Sequence, residues 1–577
     1  KSFNCIVFID YDIIILGGVK LEYKINVRNH WWFDAGIVGL YFIADQVRRE
    51  EDYNNISLDF DEDSLSIYGE NEESIREFLE HCYEVLASMY WNVSTKSQKE
   101  KPELVMYDEE TGEFSLAPKR QATPVVKLFV KGTSWKAENI LYSDMDEELK
   151  SKVDSYLKEN DRELWGGKKD KLLLTLPESQ PKVKILPKEN MKRQSICSIC
   201  GKSTSNLIEI AQPSFLLFAS KSAALSFHTQ GNRPAKICWE CEFISKFTMD
   251  TINYKKDGNN LSILLLNSPN LKHSIDNQRK IGSSSVIRSI DEDYFYKNIG
   301  FDDNALIYRA RMSYELLWAY FVDTYSILKS NVLIAGDESD LFLQILGEVV
   351  SIPLEVIVIS LGEKGQTFIT KELIFYNDIG YAYRLISHLL EKGVDLKNFY
   401  NSLYETDNKG NLLPSRNKIL RKVLNKHCIL SDIESITSRK VFNNKSINTS
   451  NMLKFLIEYY LIIKEDIMDR EQIKVAVNLG KQIVIQAYEV GGKDDNALKR
   501  VRGDLFSLRK TRTVTDFITQ INTLQFRYGI SVSNQVLEGI LNEVQFEDFK
   551  GYCIMGALNT YNNYLFRKKD KGENKDD

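Results

Sequence analysis

The amino-acid sequence predicts a multidomain α+β protein with an inserted four-cysteine module and a C-terminal antiparallel helical bundle. At 577 residues the chain is too long for a single hydrophobic core, so three or four domains are expected. Strand and helix periodicities are mixed near the N-terminus. No proline follows Pro414, so residues 415–577 can run as helices without interruption.

Strand signals come first in the N-terminal α+β domain, which we place at residues 1–160. Two apolar runs, 6–16 and 19–25, flank a Gly-Gly pair and predict a β-hairpin with a two-residue turn. A second hairpin is predicted over 57–68, and an amphipathic helix follows it.

A helix is predicted between these hairpins, with Asp34 as its N-cap. Gly36 and Gly39 interrupt it, and each glycine lowers helix propensity by roughly 1 kcal/mol. We therefore expect another element to pack very closely against this helix. Its apolar face is Ile37, Leu40, Tyr41, Ala44 and Val47.

The strongest chemical signal is a pair of Cys-x-x-Cys motifs, Cys197/Cys200 and Cys238/Cys241. Two intervening residues allow both sulfurs of a motif to face one ion, and four thiolates complete a tetrahedral zinc site. Gly201 lets the chain fold back after the first motif. Since four thiolates leave no open coordination position, the predicted Zn²⁺ is structural.

Two other interpretations of these cysteines remain open. They are four unligated core cysteines, or two redox-active pairs. Repetition of the motif favours metal binding over unligated core cysteines. The reducing interior of a cell favours metal binding over redox-active pairs. The other cysteines, Cys5, Cys82, Cys428 and Cys553, lie among apolar neighbours and are expected to be buried.

Composition changes along the chain indicate further boundaries. Proline and lysine are frequent over 161–193, which indicates an extended arm or a solvated loop. Beyond it, apolar stripes at helical spacing occur around Ile473 and Val536, and Thr513 is positioned to cap a helix. We predict a basic arm with the zinc module at 161–250, a mixed and mostly helical region at 251–445, a helical bundle at 446–567 and a disordered tail at 568–577.

A cluster of cations lies within the predicted bundle. The net charge of −6 argues against a wholly basic nucleic-acid coat but not against a local basic surface. Such a cluster could bind the phosphate groups of a nucleic-acid backbone. The alternative is that these cations form an ordinary solvent-exposed surface without a ligand. Its members are Lys499, Arg500, Arg502, Arg509, Lys510 and Arg512.

No familiar catalytic pattern occurs. The six histidines are dispersed, and the sequence has neither a Walker A spacing nor a Gly-x-Ser-x-Gly motif. Asp337, Glu338 and Asp340 could bind Mg²⁺ in a nuclease, but acids in a first helical turn often only offset the helix dipole. We therefore expect a protein that is not an enzyme, with a metal-dependent nuclease as the alternative.

The expected location is the cytoplasm. No apolar run reaches the roughly 18 residues of a membrane span, and the N-terminal run lacks the basic flank of a signal peptide.

Two blocks resemble a known family. The segment Phe33-Asp-Ala-Gly-Ile-Val-Gly-Leu40 and the two Cys-x-x-Cys motifs, in this order, are similar to the CXXC-CXXC class of large subunits of type I CRISPR interference complexes, called Cascade. The helical C-terminal region is similar to the small-subunit-like bundle of that family. The resemblance covers most of the chain, although only these two blocks are specific.

The resemblance implies a non-catalytic DNA-binding subunit. Such a subunit works with crRNA and with the backbone, guide 5′-end and small subunits, and it helps to recognise the protospacer-adjacent motif on double-stranded target DNA. It also stabilises the R-loop and recruits a separate helicase-nuclease. Because guide pairing reads the sequence, the protein itself needs few base contacts.

Two candidate DNA contacts follow from the resemblance. The loop Lys131-Gly-Thr133-Ser134 contains a glycine and could approach a groove closely. The basic cluster of Lys499 to Arg512 could track the displaced strand. A zinc-containing transcriptional regulator is a weaker alternative, because no helix-turn-helix with a basic recognition helix is evident.

Overall fold

The computed structural model describes residues 20–50, 53–94, 96–120, 122, 133–161, 171–181, 183–190, 194–217, 236–279, 305–335, 354–364, 367–463, 468–537 and 539–572. The chain forms two compact units. Unit 1 is Lys1–Asp302 with Ile327–Ile379, and unit 2 is Asp303–Ser326 with Gly380–Asp577. These units cut across the predicted boundaries at residues 160, 250 and 445.

Unit 1 is α+β. Its strands are Leu21–Asn26 (β1), Ser57–Phe60 (β2), Ser64–Gly69 (β3), Leu104–Tyr107 (β4), Phe114–Ala117 (β5), Thr133–Lys136 (β6), Asn139–Leu141 (β7), Lys171–Leu173 (β8), Glu178–Pro181 (β9), Ser195–Ile196 (β10), Ser203–Thr204 (β11), Leu207–Glu209 (β12), Lys236–Cys238 (β13), Asn253–Asp257 (β14), Asn260–Asn267 (β15), Glu355–Lys364 (β16) and Thr367–Tyr376 (β17). Its helices are Trp31–Glu50 (α1), Glu72–Tyr90 (α2), Lys96–Glu100 (α3), Glu147–Glu159 (α4), Trp239–Thr251 (α5) and Leu271–Gln278 (α6).

The first sheet has the order β1-β3-β2 and is antiparallel. The predicted second hairpin is confirmed, since Leu58 pairs with Ile67 and Phe60 with Leu65. The strand expected at 19–25 is β1, and its described partner is β3. The partner predicted for it, 6–16, lies outside the described residues.

Helix α5 lies in the core of unit 1. All 13 of its residues are buried, and it packs on α1. A Cβ atom on Gly36 would lie 2.2 Å from the Ile244 carbonyl oxygen, and one on Gly39 would lie 2.1 Å from that of Phe247. Only glycine allows this approach. The close packing that the two glycines predicted is confirmed, and the partner is α5.

Asp34 does not occupy the predicted N-cap position. The helix begins at Trp31, and the buried Asp34 carboxylate in its first turn accepts the backbone N–H groups of Arg28 and His30, at 2.6 and 2.8 Å. A carboxylate in the first turn of the helix therefore provides the hydrogen-bond acceptors for the two N–H groups that precede the helix.

Residues 96–181 include a small core of their own. Strands β5-β4-β8-β7 form a sheet against α4, around Val105, Val153 and Leu172. Where the predicted basic arm is described, it contributes strands to two sheets. Strand β8 pairs with β4 and β7, and strand β9 pairs with β6.

The region predicted as mostly helical begins with strands instead. Strands β14-β15-β16-β17 form an antiparallel sheet. The apolar run Leu261–Leu266 lies in β15, which is paired on both sides by β14 and β16. A short run buried on both faces has no clear period, so its sequence did not distinguish strand from helix.

Unit 2 is helical in its described part. Its helices are Ser313–Ala335 (α7, in unit 2 to Ser326), Ile379–Glu391 (α8), Leu396–Ser402 (α9), Ser415–Leu424 (α10), Leu430–Phe442 (α11), Thr449–Ile463 (α12), Arg470–Val490 (α13), Asp495–Arg509 (α14), Val514–Tyr528 (α15), Asn534–Leu537 (α16), Ile540–Glu543 (α17) and Phe546–Gly572 (α18). Thr513 caps α15 as predicted, because its side chain accepts the Asp516 N–H.

The two longest helices of the C-terminal region, α13 and α18, pack through glycines. A Cβ on Gly480 would lie 1.8 Å from the Cys553 carbonyl oxygen, and a Cβ on Gly556 would likewise lie too close to the Val477 carbonyl oxygen. Tyr488 and Tyr564 stack further along, so α13 and α18 run in the same direction. Helices α14 and α15 also contact each other, since Asp504 of α14 accepts hydrogen bonds from Arg527 and Tyr528 at the end of α15.

Three local predictions in unit 2 are corrected. The stripe from Val536 to Val544 is not one helix, because Gly539 at φ 106° separates α16 from α17. The predicted tail is helical to Gly572, consistent with the preference of basic residues for helix C-termini. Cys428 is exposed, whereas Cys82 and Cys553 are buried as expected.

None of the helices in the described ranges combines the length and the apolar character needed to cross a membrane.

Candidate functional site

Four cysteine sulfurs meet in unit 1 and form a group that could hold a metal ion. The Sγ atoms of Cys197, Cys200, Cys238 and Cys241 all lie within 4.8 Å of one another. Cys197 is 3.8 Å from Cys241, and Cys200 is 3.6 Å from Cys238. Sulfurs placed tetrahedrally about 2.3 Å from an ion are separated by about 3.8 Å. The donor set and its spacing therefore fit a tetrahedral metal ion.

The first Cys-x-x-Cys motif forms the tip of a short hairpin. Strands β10 and β11 pair on either side of it, and the Cys197 N–H donates to the Lys202 carbonyl at 2.9 Å. Gly201 has φ 75°, and its N–H donates to the Cys197 carbonyl at 3.0 Å. The predicted role of this glycine is confirmed, because a side chain would strain that backbone conformation.

The second motif lies where a strand becomes a helix. Cys238 ends β13 and is the N-cap of α5, and Cys241 lies in the first helical turn. The Cys238 N–H donates to the Cys197 sulfur at 3.2 Å, and the Cys241 N–H donates to the Cys238 sulfur at 3.5 Å. These donors and the positive end of the helix dipole both stabilise thiolates.

The segment between the two cysteine motifs is partly described. Strand β12 pairs with β13, and residues 218–235 lie outside the described residues. The Ser198 N–H also donates to the Lys236 carbonyl at 2.9 Å, which joins the two motifs through their backbones.

The sulfurs themselves are shielded from water. Cys197, Cys238 and Cys241 are at most 1% exposed, and Cys200 is half-buried. Hydrogen bonds from the other sulfurs, of which Cys200 contributes most, lower the pKa of the Cys197 thiol. Hydrogen bonds with the other sulfurs, of which Cys197 contributes most, raise the pKa of the Cys241 thiol. The four thiols thus compete for protons as one coupled set, and a bound cation would relieve this competition by taking all four as thiolates.

A buried ion pair borders the sulfurs. The guanidinium of Arg28, which lies between β1 and α1, pairs with Glu240 inside the second motif, and both side chains are 5% exposed. The Tyr23 hydroxyl also donates to Glu240, and the Lys202 ammonium lies 4.0 Å from it. Sequence reasoning missed these residues because Arg28 and Glu240 are separated by 212 positions.

The other charges of α5 are also paired internally. Lys246 is 1% exposed and binds the Glu242 carboxylate at 2.7 Å and the Pro213 carbonyl at 2.5 Å. Asp250 accepts the Tyr90 hydroxyl at 2.9 Å. Because each of these buried charges has a partner, a helix with the composition of a surface helix can lie in a core.

Five of the six residues in the predicted basic cluster of unit 2 divide into two groups. Arg509 makes a two-pronged ion pair with Glu434, at 2.7 and 3.1 Å, and Arg500 donates to the Gly491 carbonyl at 2.7 Å. Both are used within the fold. Lys499, Lys510 and Arg512 are exposed and have no carboxylate partner among the residues that the structure describes.

Four residues of α14 and its C-cap define what we call the basic–aromatic face. The Arg502 guanidinium lies over the rings of Phe442 and Phe506, 5.4 and 5.7 Å from their centroids, and Phe506 is 36% exposed. Spacings of three and four residues place the set on one side of the helix. The set is Lys499, Arg502, Phe506 and Lys510.

The remaining site predictions have less structural support. Thr133 and Ser134 lie in strand β6, not in the predicted loop, and pair with Pro181 and Gln180 of β9. Lys131 lies outside the described residues, as do Asp337, Glu338 and Asp340.

No known protein family matches the chain, and no curated protein matches it either.

Proposed function

We propose that the four-cysteine group binds Zn²⁺ as a structural metal. Zinc prefers four thiolates in a tetrahedral arrangement, and the sulfur separations of 3.6 and 3.8 Å support this choice. Four protein ligands leave no position for water or substrate. The cysteines would hold the ion at the start of α5 and so fix the two motifs to the core of unit 1.

On this scaffold we propose a non-catalytic nucleic-acid-binding function, in a cytoplasmic protein of a prokaryotic cell. Its most specific form is the large subunit of a crRNA-guided type I CRISPR complex, which binds target DNA at its protospacer-adjacent motif, stabilises the R-loop and recruits the helicase-nuclease. The resemblance of the Phe33–Leu40 segment and the cysteine motifs supports that specific form.

The observation that carries nucleic-acid binding is the basic–aromatic face. Its three cations have no carboxylate partner among the described residues, and its aromatic ring is partly exposed. Single-stranded nucleic acids bind to surfaces of this kind, because cations contact phosphates while rings stack on bases of any sequence.

Replacing Lys499, Arg502 and Lys510 together by Gln tests this function. The full-length variant is expected to bind single-stranded DNA more weakly and to lower the slope of log affinity against log salt by about 2, since each phosphate contact contributes about 0.7. Fluorescence anisotropy between low and moderate salt measures both quantities.

A matched variant replaces Lys422, Lys474 and Lys493 by Gln. These lysines also lie in unit 2, but each is paired with a carboxylate, so their removal should leave the salt slope unchanged. Equal slopes for the wild type and the Lys499/Arg502/Lys510 variant would contradict nucleic-acid binding at this face.

The complex itself is tested by co-expression with crRNA and the candidate backbone, guide 5′-end and small subunits. A stable ribonucleoprotein containing this chain is expected, and a chain that stays monomeric with all partners present would contradict the specific assignment. DNA cleavage in Mg²⁺ or Mn²⁺ that Asp337→Ala abolishes would favour the nuclease alternative instead.

A further inference from the structure

Arg28 holds a position that the metal ligands alone do not explain. Its guanidinium pairs with Glu240, the residue between Trp239 and Cys241 in the second cysteine motif. It also donates to the Asn26 carbonyl at 2.7 Å, while its backbone N–H donates to Asp34. One side chain thus ties the β1–α1 connection to the metal-binding turn.

The charge around the sulfurs favours such a cation. A divalent ion with four thiolates carries a net charge of −2, and this charge lies among residues that exclude water. The nearby Glu240 carboxylate adds another negative charge. Lys202 is 34% exposed, so solvent screens much of its contribution, whereas Arg28 is 5% exposed.

The Arg28–Glu240 ion pair lies beside the cysteines, because Glu240 is adjacent to Cys241 in the second motif. Burial by itself would lower the pKa of the Arg28 guanidinium, but Glu240 and, after it, the sulfurs of Cys241, Cys200 and Cys238 raise it. Its Nε–H is buried and has no hydrogen-bond partner in the described part of the chain. A buried donor without a partner is costly unless a negative charge lies near it.

We propose that Arg28 is the charge-compensating residue of the metal centre. Held in place by Glu240, its guanidinium stabilises the metal-bound tetrathiolate and slows release of the ion. This role rests on the metal occupancy proposed above and adds to it a residue, distant in sequence, that sets how firmly the metal is kept. Groups beside metal ligands commonly change metal affinity by about 10- to 100-fold.

The test compares Arg28→Gln, Arg28→Lys and Arg416→Gln in the full chain. Arg416 is the matched control, because it forms an ion pair of the same kind with Glu315 in unit 2, with side chains 3% and 0% exposed. Release of zinc to a chromogenic chelator gives the rate, and the sulfur-to-metal charge-transfer band of the Co²⁺-substituted protein reports on the electron density at the sulfurs.

Arg28→Gln is expected to release zinc about tenfold faster or more and to shift the Co²⁺ band to lower energy, because thiolates without a nearby cation give up electrons more easily. Arg28→Lys keeps the charge and is expected to restore the band position and most of the retention. Arg416→Gln should destabilise the chain without changing either metal measurement.

Wild-type release rates in folded Arg28→Gln, or an unshifted band with Lys no better than Gln, would overturn the role of Arg28. If Arg28→Gln alone does not fold, Arg28→Gln with Glu240→Gln is compared with Glu240→Gln alone, and removing Arg28 in that background is expected to speed zinc release and to lower the energy of the Co²⁺ band. A wild-type protein that never carries zinc would instead contradict the proposed metal, and the Co²⁺ spectra would then decide about Arg28.

Discussion

At the scale of single residues, the four cysteines show what local spacing can predict. Two residues between cysteines allow both sulfurs of a motif to face the same point, and the structure brings the Sγ atoms of both motifs within 4.8 Å of one another. The charged residues beside those sulfurs were not predictable. Arg28 meets Glu240 only because β1 and α5 come together in the tertiary fold.

Replacing Cys197 or Cys238 by Ser is expected to release the metal and to destabilise unit 1 by several kcal/mol, because the binding free energy of a structural metal is part of the folding free energy. Elemental analysis and thermal unfolding measure the two effects. Cys428→Ser is the control, since Cys428 is exposed and lies outside the cluster. Unchanged metal content in the Cys197 variant would refute the site.

His30 provides a prediction for pH. Its ring contacts Phe33 and Phe215 with centroids 4.9 and 5.0 Å apart, and burial lowers its pKa below 6.5. The unfolded chain therefore binds this proton more readily than the folded chain, so His30 should reduce stability as the pH falls through 6.5 towards its folded pKa.

His30→Asn keeps an acceptor for the Trp32 N–H and removes the titration. We expect denaturant unfolding at pH 7 and pH 5.5 to show a smaller loss of stability in this variant than in the wild type. If the wild type and His30→Asn lose the same stability between these pH values, His30 binds its proton equally well in the folded and the unfolded chain.

At the scale of elements, Gly36 and Gly39 indicated close packing, but the partner was hidden. Helix α5 contains four charged residues and has the composition of a surface helix, yet all of it is buried. Its burial depends on partners such as Tyr90 and the Pro213 carbonyl, which lie far along the chain. Local periodicity carries no information about such contacts.

Gly36→Ala tests the α1–α5 contact. The added Cβ would lie 2.2 Å from the Ile244 carbonyl oxygen, so a backbone must move, and we expect a loss of about 3 kcal/mol or more. Gly503→Ala is the matched control in a helix with open space around it, and it should stabilise the protein by about 0.5–1 kcal/mol. Chemical denaturation measures both, and similar effects of the two changes would contradict the packing described.

At the scale of the whole molecule, the two units explain why the predicted domain boundaries differ from the structure. Residues 327–379 return to unit 1 and complete its sheet through β16 and β17, whereas 303–326 belong to unit 2. A change in composition marks a linker but cannot show that a later segment returns to an earlier core. The mixed α+β class was predictable because it needs only the local periods of strands and helices.

Removal of the metal should therefore affect one unit selectively. Cys238 and Cys241 lie at the start of α5, and with Cys197 they belong to the core cluster of unit 1, whereas α13 and α18 of unit 2 have buried faces of their own. Because structural metals stabilise the segments that carry their ligands, we expect a chelator to loosen α1 and α5 and to leave α13 and α18 intact.

The most direct test is hydrogen exchange measured by mass spectrometry on the full chain, before and after a chelator has removed the metal, with metal content determined on the same samples. With a structural zinc site, we expect bound zinc at the start, and after its removal a loss of amide protection in α1 and α5 with protection in α13 and α18 preserved. Unchanged protection of α1 and α5 in protein shown to have lost its zinc would contradict a structural metal centre.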